Sequence, residues 1–340
     1  MDPKRLREVL SGFAGKRVLV IGDLMLDHYL WGYANRLSPE APVPVVEVES
    51  ETFRPGGAAN VIHNLHGLGA EIAAIGVVGD DAEGEELKNL LAAERVDLSG
   101  TVIDPDRPTT SKMRVIARRI IKQGGERGEA QHLVRADREV RSPISGPVQQ
   151  RVIEGIRGAH DVDALFVSDY AKGMVTIEVM DAVREAMRRL DRPAVVDPKG
   201  RNFEKYYGVT ALSPNQAEAL GAFNLDGAEE EGVVSVGQEM TKRFELRSVF
   251  MTRSEKGISL FERSGQVTHI PATARKVYDV SGAGDTTAAV YMLALLAEAS
   301  PREAAYVGNL AGGVVVGKVG VATASVAELL EVGEDKENGL

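Results

Sequence analysis

Apolar positions in this chain arrive mostly as short unbroken runs: "RVLVIGD" (17–23), "IAAIGVVG" (72–79), "ALFVSD" (164–169), "PAVVDPKG" (193–200) and "SVFMTRS" (248–254). Runs of this kind suit strands buried on both faces of a parallel sheet. Between them, apolar residues recur at helical spacing near 58–68, 83–94, 147–157, 176–190, 215–221 and 230–245, and a short amphipathic helix is expected over 3–11. Strands alternating with helices predict an α/β fold, with helices on both faces of a mainly parallel central sheet. Ligands of such sheets sit beyond the carboxyl ends of the strands. Several of the runs end there in Asp, Lys, Thr or Ser.

Two regions break the rhythm. "YLWGYANRLSPEAPVPVVEVES" (29–50) is β-rich and punctuated by proline, and "TTSKMRVIARRIIKQGG" (109–125) with "HLVRAD" (132–137) reads as strands with no helix between them. These predict a small antiparallel sheet projecting from the main domain as a lid or a dimer surface, with "GGERGE" (124–129) as a mobile hairpin tip. One domain is expected over 1–332, with lid segments at about 28–50 and 109–137, followed by an acidic tail, 333–340, that frays.

Composition narrows the function. Hydrophobic residues make up 44% of 340, enough for a substantial core. The net charge of −10 sets up no global field for nucleic acid or an anionic membrane surface, so an anionic substrate needs a local basic cluster. With no cysteine, thiolate nucleophiles, disulfides and cysteine zinc sites are excluded. The first residues lack the apolar core of a signal peptide, and no run of about 18 uncharged apolar residues occurs. A cytoplasmic location without a membrane span is the expectation.

The densest chemistry lies in "DVSGAGDT" (279–286), directly before the helical run "TTAAVYMLALLAEA". The first amides of a helix have no partner inside it, and with the helix dipole they attract an anion. Gly282, Ala283 and Gly284 can cradle a phosphoryl group there, and Asp285 can accept the proton of an attacking hydroxyl. A plain glycine turn with Asp285 favoured by the dipole accounts for the same residues. The stretch is not a dinucleotide fingerprint, because Thr287 stands at the third glycine position, and no Walker A loop occurs in the chain.

Other stretches add candidates, each with a structural alternative. Gly56, Gly57 and Asn60 in "RPGGAAN" offer backbone and amide contacts to sugar hydroxyls, or simply form a helix entry. Asp23 and Asp27 in "GDLMLD" sit at a strand end, suited to sugar hydroxyls or to loop solubility. In "SPNQAE", Ser213 as N-cap, Pro214 at N1 and Gln216 at N3 make a capping box, which leaves Asn215 and Glu218 as oxygen donors for Mg²⁺, directly or through water. Lys112, Arg114 and Arg118 share one face of "SKMRVIAR", either to grip a substrate phosphate or as a solvated face. "SDYAKG" and "DPKG" place Asp169, Lys172, Asp197 and Lys199 at strand ends, and "TRSEKG" offers hydroxyls near a nucleotide phosphate. The six histidines show no metal spacing.

"PGGAAN" and "DVSGAGDT", far apart and in this order, resemble the two signatures of ribokinase-type (PfkB) carbohydrate kinases. "RLSPEAPVPVVEV", "VSDYAKG", "DPKG", "MTRSEKG" and "AGGVVVGKVG" extend the resemblance, most closely to kinases that phosphorylate D-glycero-β-D-manno-heptose 7-phosphate at O1. It implies a ribokinase-like three-layer αβα fold with a small β-lid, ATP and Mg²⁺ as cofactors, and a homodimer formed through the lid. By the same resemblance Asp285 is the base and the amides of Gly282, Ala283 and Gly284 are the anion hole. Asp23, Asp27, Gly56, Gly57 and Asn60 meet the sugar, while Lys112, Arg114, Asp169 and Lys172 lie on the substrate side. Asn215, Gln216, Ala217 and Glu218 serve ATP and Mg²⁺, Thr252, Ser254 and Gly257 flank the nucleotide, and Asn309 lies near the adenine. No H-x-G-H nucleotidyltransferase motif is present, so a stand-alone kinase is expected. Heptose 1,7-bisphosphate is the expected product, for activated-heptose synthesis. The rivals are a kinase for another phosphosugar, a non-catalytic sugar- or nucleotide-binding regulator and, disfavoured by its failed fingerprint, a dinucleotide oxidoreductase.

Overall fold

The structure, a computed structural model, describes every residue except 119–128, 274–276, 319, 321 and 338–340. Helix α1 (Pro3–Ser11) precedes strand β1 (Arg17–Gly22), and β2 (Leu24–Leu37) and β3 (Pro44–Gly57) form a long hairpin that runs into α2 (Ala58–Gly67). Next come β4 (Glu71–Ile75), β5 (Val77–Gly79), α3 (Ala82–Ala93), β6 (Val102–Asp104), β7 (Thr110–Arg118) and β8 (Gln131–Arg138). The middle of the chain holds α4 (Gly146–Gly158), β9 (Ala164–Ser168), α5 (Ile177–Leu190), β10 (Ala194–Asp197), β11 (Ala211–Leu212), α6 (Gln216–Ala222) and α7 (Glu230–Arg243). It closes with β12 (Ser248–Thr252), β13 (Ile258–Glu262), β14 (Val267–Ile270), α8 (Ala283–Leu296), α9 (Pro301–Val316) and α10 (Val326–Glu337).

The main sheet runs β14-β13-β12-β11-β10-β9-β1-β4, parallel from β12 to β4 and antiparallel at β13 and β14. The unbroken apolar runs follow from burial on both faces. Val18 and Val20 of β1 face one core with α1, α2, α8 and α9, whereas Leu19 and Ile21 face the other with α4, α5 and α7. Helix α8 is apolar almost all round because it is buried almost all round, from Asp285 to Ala294. That leaves Asp285 as the one charged side chain on the helix.

The lid is a separate four-stranded sheet, ordered β3-β2-β7-β8. β2 pairs antiparallel with β3 and parallel with β7, so the lid is mixed and not the purely antiparallel sheet expected. β2 starts at Leu24, directly after β1, and β3 ends at Gly57, directly before α2. The lid therefore grows out of the strand ends that carry the site. The expected hairpin tip over 124–129 falls almost wholly outside the described residues.

Three further expectations change. The run 72–79 is two strands: β4 ends at Ile75, Gly76 intervenes, and β5 pairs with β6. A Cβ at Gly76 would lie 2.5 Å from Leu24 Cγ, so the break sits where the lid strand crosses close by. The antiparallel pair β13–β14 was not foreseen. The acidic tail does not fray from residue 333, because α10 continues to Glu337 with buried Leu329 as its anchor and Glu334 ion-paired to Arg7 of α1.

Gly57 links lid to helix in a conformation that suits glycine, with φ 56°. A Cβ there would come within 2.6 Å of Asp23 O and 2.9 Å of Met25 Cγ. Gly57→Ala is therefore expected to destabilise the protein by about 1–3 kcal/mol. Urea denaturation checks this; an unchanged midpoint would show that the turn relaxes freely.

Candidate active site

Asp285 stands in the first turn of α8, 3% exposed, behind an N-cap, Gly282, whose φ of 77° turns the chain into the helix. Among the described residues no side chain caps this end, so its amides and dipole can attract an anion. Among the described residues Gly284 has no heavy atom within 4 Å of where a Cβ would be, so it leaves space there. The Ala283 amide is engaged in a 3.3 Å bond to Val280 O, which leaves it less available to an anion than expected.

Two donors hold the carboxylate. Asn60 Nδ2 of α2 donates to Oδ2 at 2.6 Å, and the Tyr170 hydroxyl, from the loop after β9, donates to Oδ1 at 2.7 Å. Asn60 is fixed by its neighbour one turn on: Asn64 Nδ2 donates to Asn60 O at 2.8 Å, and Thr286 Oγ1 donates to Asn64 Oδ1 at 2.7 Å. The two helix starts are thus joined by a closed network of buried polar groups. Burial raises the pKa of Asp285, while Asn60, Tyr170, Lys199 and Lys112 oppose the rise.

Lys112 of β7 and Lys199, after β10, place their ammonium groups 5.5 and 5.4 Å from the centre of the Tyr170 ring. Lys112 has no ion-pair partner among the described residues, and burial lowers its pKa against the pull of Asp27. Lys199 pairs with Glu218 at 2.6 Å; burial works against its charge, but Asp197 and Glu218 outweigh it and raise its pKa. Asp197, at the end of β10, is pushed up to about 7, mainly by burial, with Lys199 working against the rise and Asp285 adding to it. Two cations thus stand near the uncapped helix on a chain of net charge −10.

Several candidates turn out to be engaged with the protein itself. Asp23 accepts from the amides of Tyr170, Lys172 and Met174 at 2.7, 3.1 and 3.3 Å and shapes that loop; burial first, then Asp169, raises its pKa to about 6. Asp169, expected at the sugar, is 1% exposed and bound by Lys205, the Tyr206 hydroxyl at 2.7 Å and the Ala171 amide at 2.7 Å. Lys172 pairs with Glu139 at 2.6 Å. Arg114 donates to Asp27 at 2.7 Å, so the basic face of β7 meets a carboxylate of β2. Gly56 lies against that carboxylate, where a Cβ would come within 3.0 Å of Asp27 Oδ2.

On the nucleotide side the capping box is displaced by two residues. The N-cap of α6 is Asn215, not Ser213, and its box partner is Glu218, with both bonds at 2.8 Å. Ser213 instead donates toward Val196 O at 3.3 Å and Asp197 Oδ1 at 3.2 Å, and the Pro214 carbonyl accepts from the Thr252 amide at 3.0 Å. Gln216 accepts from Arg253 at 2.9 Å, and Ala217 is exposed. Ser254 is exposed at φ 50°, and Gly257, at φ 81°, closes the same turn by donating to Ser254 O at 3.0 Å. Asn309, expected by the adenine, donates to Pro271 O at 2.8 Å, directly after β14.

Among the described residues no group of three acidic or histidine side chains is placed to hold a metal. Mg²⁺ is commonly held by one or two carboxylates together with substrate phosphates, so Glu218 fits as a partner for an ion that arrives with a nucleotide. The donors that sequence reasoning missed are Tyr170, Asn64 and Thr286; Asp197 and Lys199 were noticed only as strand-end residues. Asn64 follows Asn60 by one helical turn on a helix whose other buried residues are apolar, which is a legible signal for a polar contact. A cavity of about 660 Å³, lined by Arg17, Glu71 and His160, lies by the amino end of β1, away from these residues.

Asp197 carries a pH dependence. Its folded-state pKa lies above the unfolded value, so the stability it contributes is full below about pH 4 and lost as pH rises through about 7. Asp197→Asn removes that term. Relative to the parent, the variant is expected to gain stability from pH 5 to pH 8 in urea denaturation; an equal difference at both pH values would refute the assignment.

Residues 16–328 match the pfkB family carbohydrate kinases. The chain is 44% identical over 335 residues to "Bifunctional protein HldE" of Geotalea uraniireducens, covering 98% of this chain and 66% of that protein. The protein of the same name from Geobacter sulfurreducens is 41% identical over 331 residues, covering 97% of this chain and 65% of the relative. The chain thus spans about two thirds of the length of these relatives. In fold it resembles Escherichia coli phosphofructokinase-2, solved with substrates and products, at TM-score 0.73 and 20% identity over 93% of this chain and 98% of that one. It also resembles Arabidopsis thaliana ribokinase complexed with ribose and ATP, at TM-score 0.70 and 18% identity over 94% of this chain and 98% of that one. The uncapped helix mouth, the buried carboxylate and the ribokinase-like three-layer architecture thus belong to a member of the PfkB carbohydrate kinases, an ATP-dependent sugar kinase.

Proposed function

We propose that the chain phosphorylates D-glycero-β-D-manno-heptose 7-phosphate at O1, giving heptose 1,7-bisphosphate for ADP-heptose synthesis and cell-surface glycan. The observation that carries the chemistry is Asp285, buried at the uncapped start of α8 and held by two donors. The heptose assignment is supported by the identity with proteins named HldE along nearly the whole chain.

The anomeric hydroxyl gives its proton to Asp285 as O1 forms a bond to the γ-phosphorus. The bond from that phosphorus to the β–γ bridging oxygen breaks, and ADP leaves with that electron pair. The amino end of α8 and the Lys112 and Lys199 ammonium groups stabilise charge on the transferred group. Glu218 would hold Mg²⁺ through water, and the ion when bound neutralises phosphate charge. The loop fixed by Asp23 and the Asn60–Asn64 pair keep the base in place while the substrates change.

Asp285→Asn is expected to lower kcat by about 10²-fold or more with little change in KM. Near-parent turnover would remove Asp285 from the mechanism. A panel of heptose and hexose phosphates with ATP, with products identified by NMR, tests the substrate. A higher kcat/KM for a hexose phosphate would favour the other phosphosugar kinase, and no ADP release with any acceptor would favour a binding protein.

The lid fits a homodimer contact. Leu37, Val48 and Val134 are 66%, 54% and 54% exposed on its strands, an apolar burden that a second lid would cover. Val134→Glu is expected to shift the mass measured by light scattering towards the monomer. A dimer that persists unchanged would place the contact elsewhere.

A further inference from the structure

We propose that Tyr170 is a positioning residue for the catalytic base: its hydroxyl keeps the Asp285 carboxylate ionised and aimed while the acceptor sugar binds. The inference rests on the reading of Asp285 as the base and adds a residue to it.

The geometry behind it is over-determined. The Tyr170 hydroxyl donates to Asp285 Oδ1 at 2.7 Å, and the bond spans 115 positions of sequence. The backbone on either side of Tyr170 is pinned. Its own amide donates to Asp23 at 2.7 Å, the Lys172 amide does so at 3.1 Å, and the Ala171 amide donates to Asp169 at 2.7 Å. Ala171 and Gly173 both have positive φ, 55° and 90°, so the loop is a tight fixed turn. Lys112 and Lys199 face the ring at about equal distance, 5.5 and 5.4 Å. A phenol held in this way cannot be a casual contact of a mobile side chain.

The need for such a donor follows from burial. A carboxylate 3% exposed tends to take up a proton, and a protonated Asp285 cannot accept one from the sugar. The groups that face it decide its state. Asn60 comes from α2, Tyr170 from the loop after β9, Lys112 from the lid, and Asp197 and Lys199 from the end of β10. Asn60 and Tyr170 donate directly to the carboxylate, and Lys112 and Lys199 also favour its charge, whereas Asp197 opposes it when ionised. Asn60 is bound in turn to Asn64, but the phenol has a single polar atom, and Asp285 is its partner. Removing that one oxygen leaves the ring, its loop and both lysine contacts in place, and changes only what Asp285 receives.

Tyr170→Phe is the test, with the pH profile of kcat/KM as the readout. The acid limb is expected to move to higher pH by about one unit, because a donor to the charged form has been lost. At neutral pH kcat is expected to fall about 10-fold, with KM for ATP changed less than about 3-fold. An acid limb and kcat identical to the parent would overturn the proposal. Replacing Tyr170 with 3-fluorotyrosine, a stronger donor of nearly the same shape, should move the limb the other way; if the Phe variant folds poorly, this variant decides, and an unmoved limb overturns the proposal. Asp285→Asn separates the two ideas. Parent-like turnover there would defeat the base assignment itself, whereas an inactive Asp285→Asn beside a parent-like Tyr170→Phe would defeat this inference alone.

Discussion

One carboxylate buried at the mouth of a buried helix sets the terms for the rest of the site. Holding Asp285 at 3% exposure in ionised form costs several kcal/mol of lost hydration unless the protein replaces it. The replacement comes from three directions: the start of α8, the Asn60 amide on α2 and the Tyr170 phenol on the loop after β9. Hydrogen bonds to charged groups contribute about 1.5–3 kcal/mol each, so two of them together with the dipole approach what burial takes away. Each donor then needs its own support. Asn64, itself held by Thr286, holds Asn60, and Asp23 holds the loop of Tyr170. The polar groups around this helix mouth are therefore organised outward from a single carboxylate.

That order explains the roles of the other acidic residues. Asp23 and Asp169 sit at the ends of adjacent strands, β1 and β9, where a ligand-facing part would be expected. Both instead accept bonds from the framework: Asp23 from loop amides, Asp169 from Lys205 and Tyr206. Their work is to make the strand ends rigid, so that what faces the cleft is held to within the small tolerance that phosphoryl transfer requires. Lid and sheet share this rigidity, because β2 begins two residues after β1 ends and β3 runs straight into α2.

The fold was legible wherever burial was two-sided. β1, β9, β10 and β12 read as apolar runs because both faces are buried and polar residues come only at the strand ends, and the "SGAGD" helix mouth stood out by glycine chemistry alone. What sequence could not supply was partnership. "SDYAKG" shows a tyrosine among charged residues, but nothing in it shows that the phenol reaches Asp285. In "SPNQAE" the sequence pattern points to a cap at Ser213 with Gln216, whereas the structure caps the helix with Asn215 and Glu218. The second prevails because Pro214 O accepts from Thr252 and Ser213 turns toward β10. Asn309 and Asp169 are polar residues of the type that binds ligands, and only the tertiary contacts reveal that they bind the chain itself. The acidic end of the chain looked unstructured because its composition is polar, yet Leu329 and the Arg7–Glu334 pair give α10 a surface to rest on.

Charge distribution completes the logic. A chain of net charge −10 repels a nucleotide at long range, so its capture depends on the few cations left for it. Most basic side chains near the strand ends are already matched: Arg114 with Asp27, Lys172 with Glu139, Lys205 with Asp169 and Arg253 with Glu230. Lys112 has no such partner among the described residues, and Lys199 is paired to Glu218. Buried Asp197 also favours the Lys199 charge, so this cation is kept beside the Tyr170 ring without standing unpaired in the low-dielectric interior.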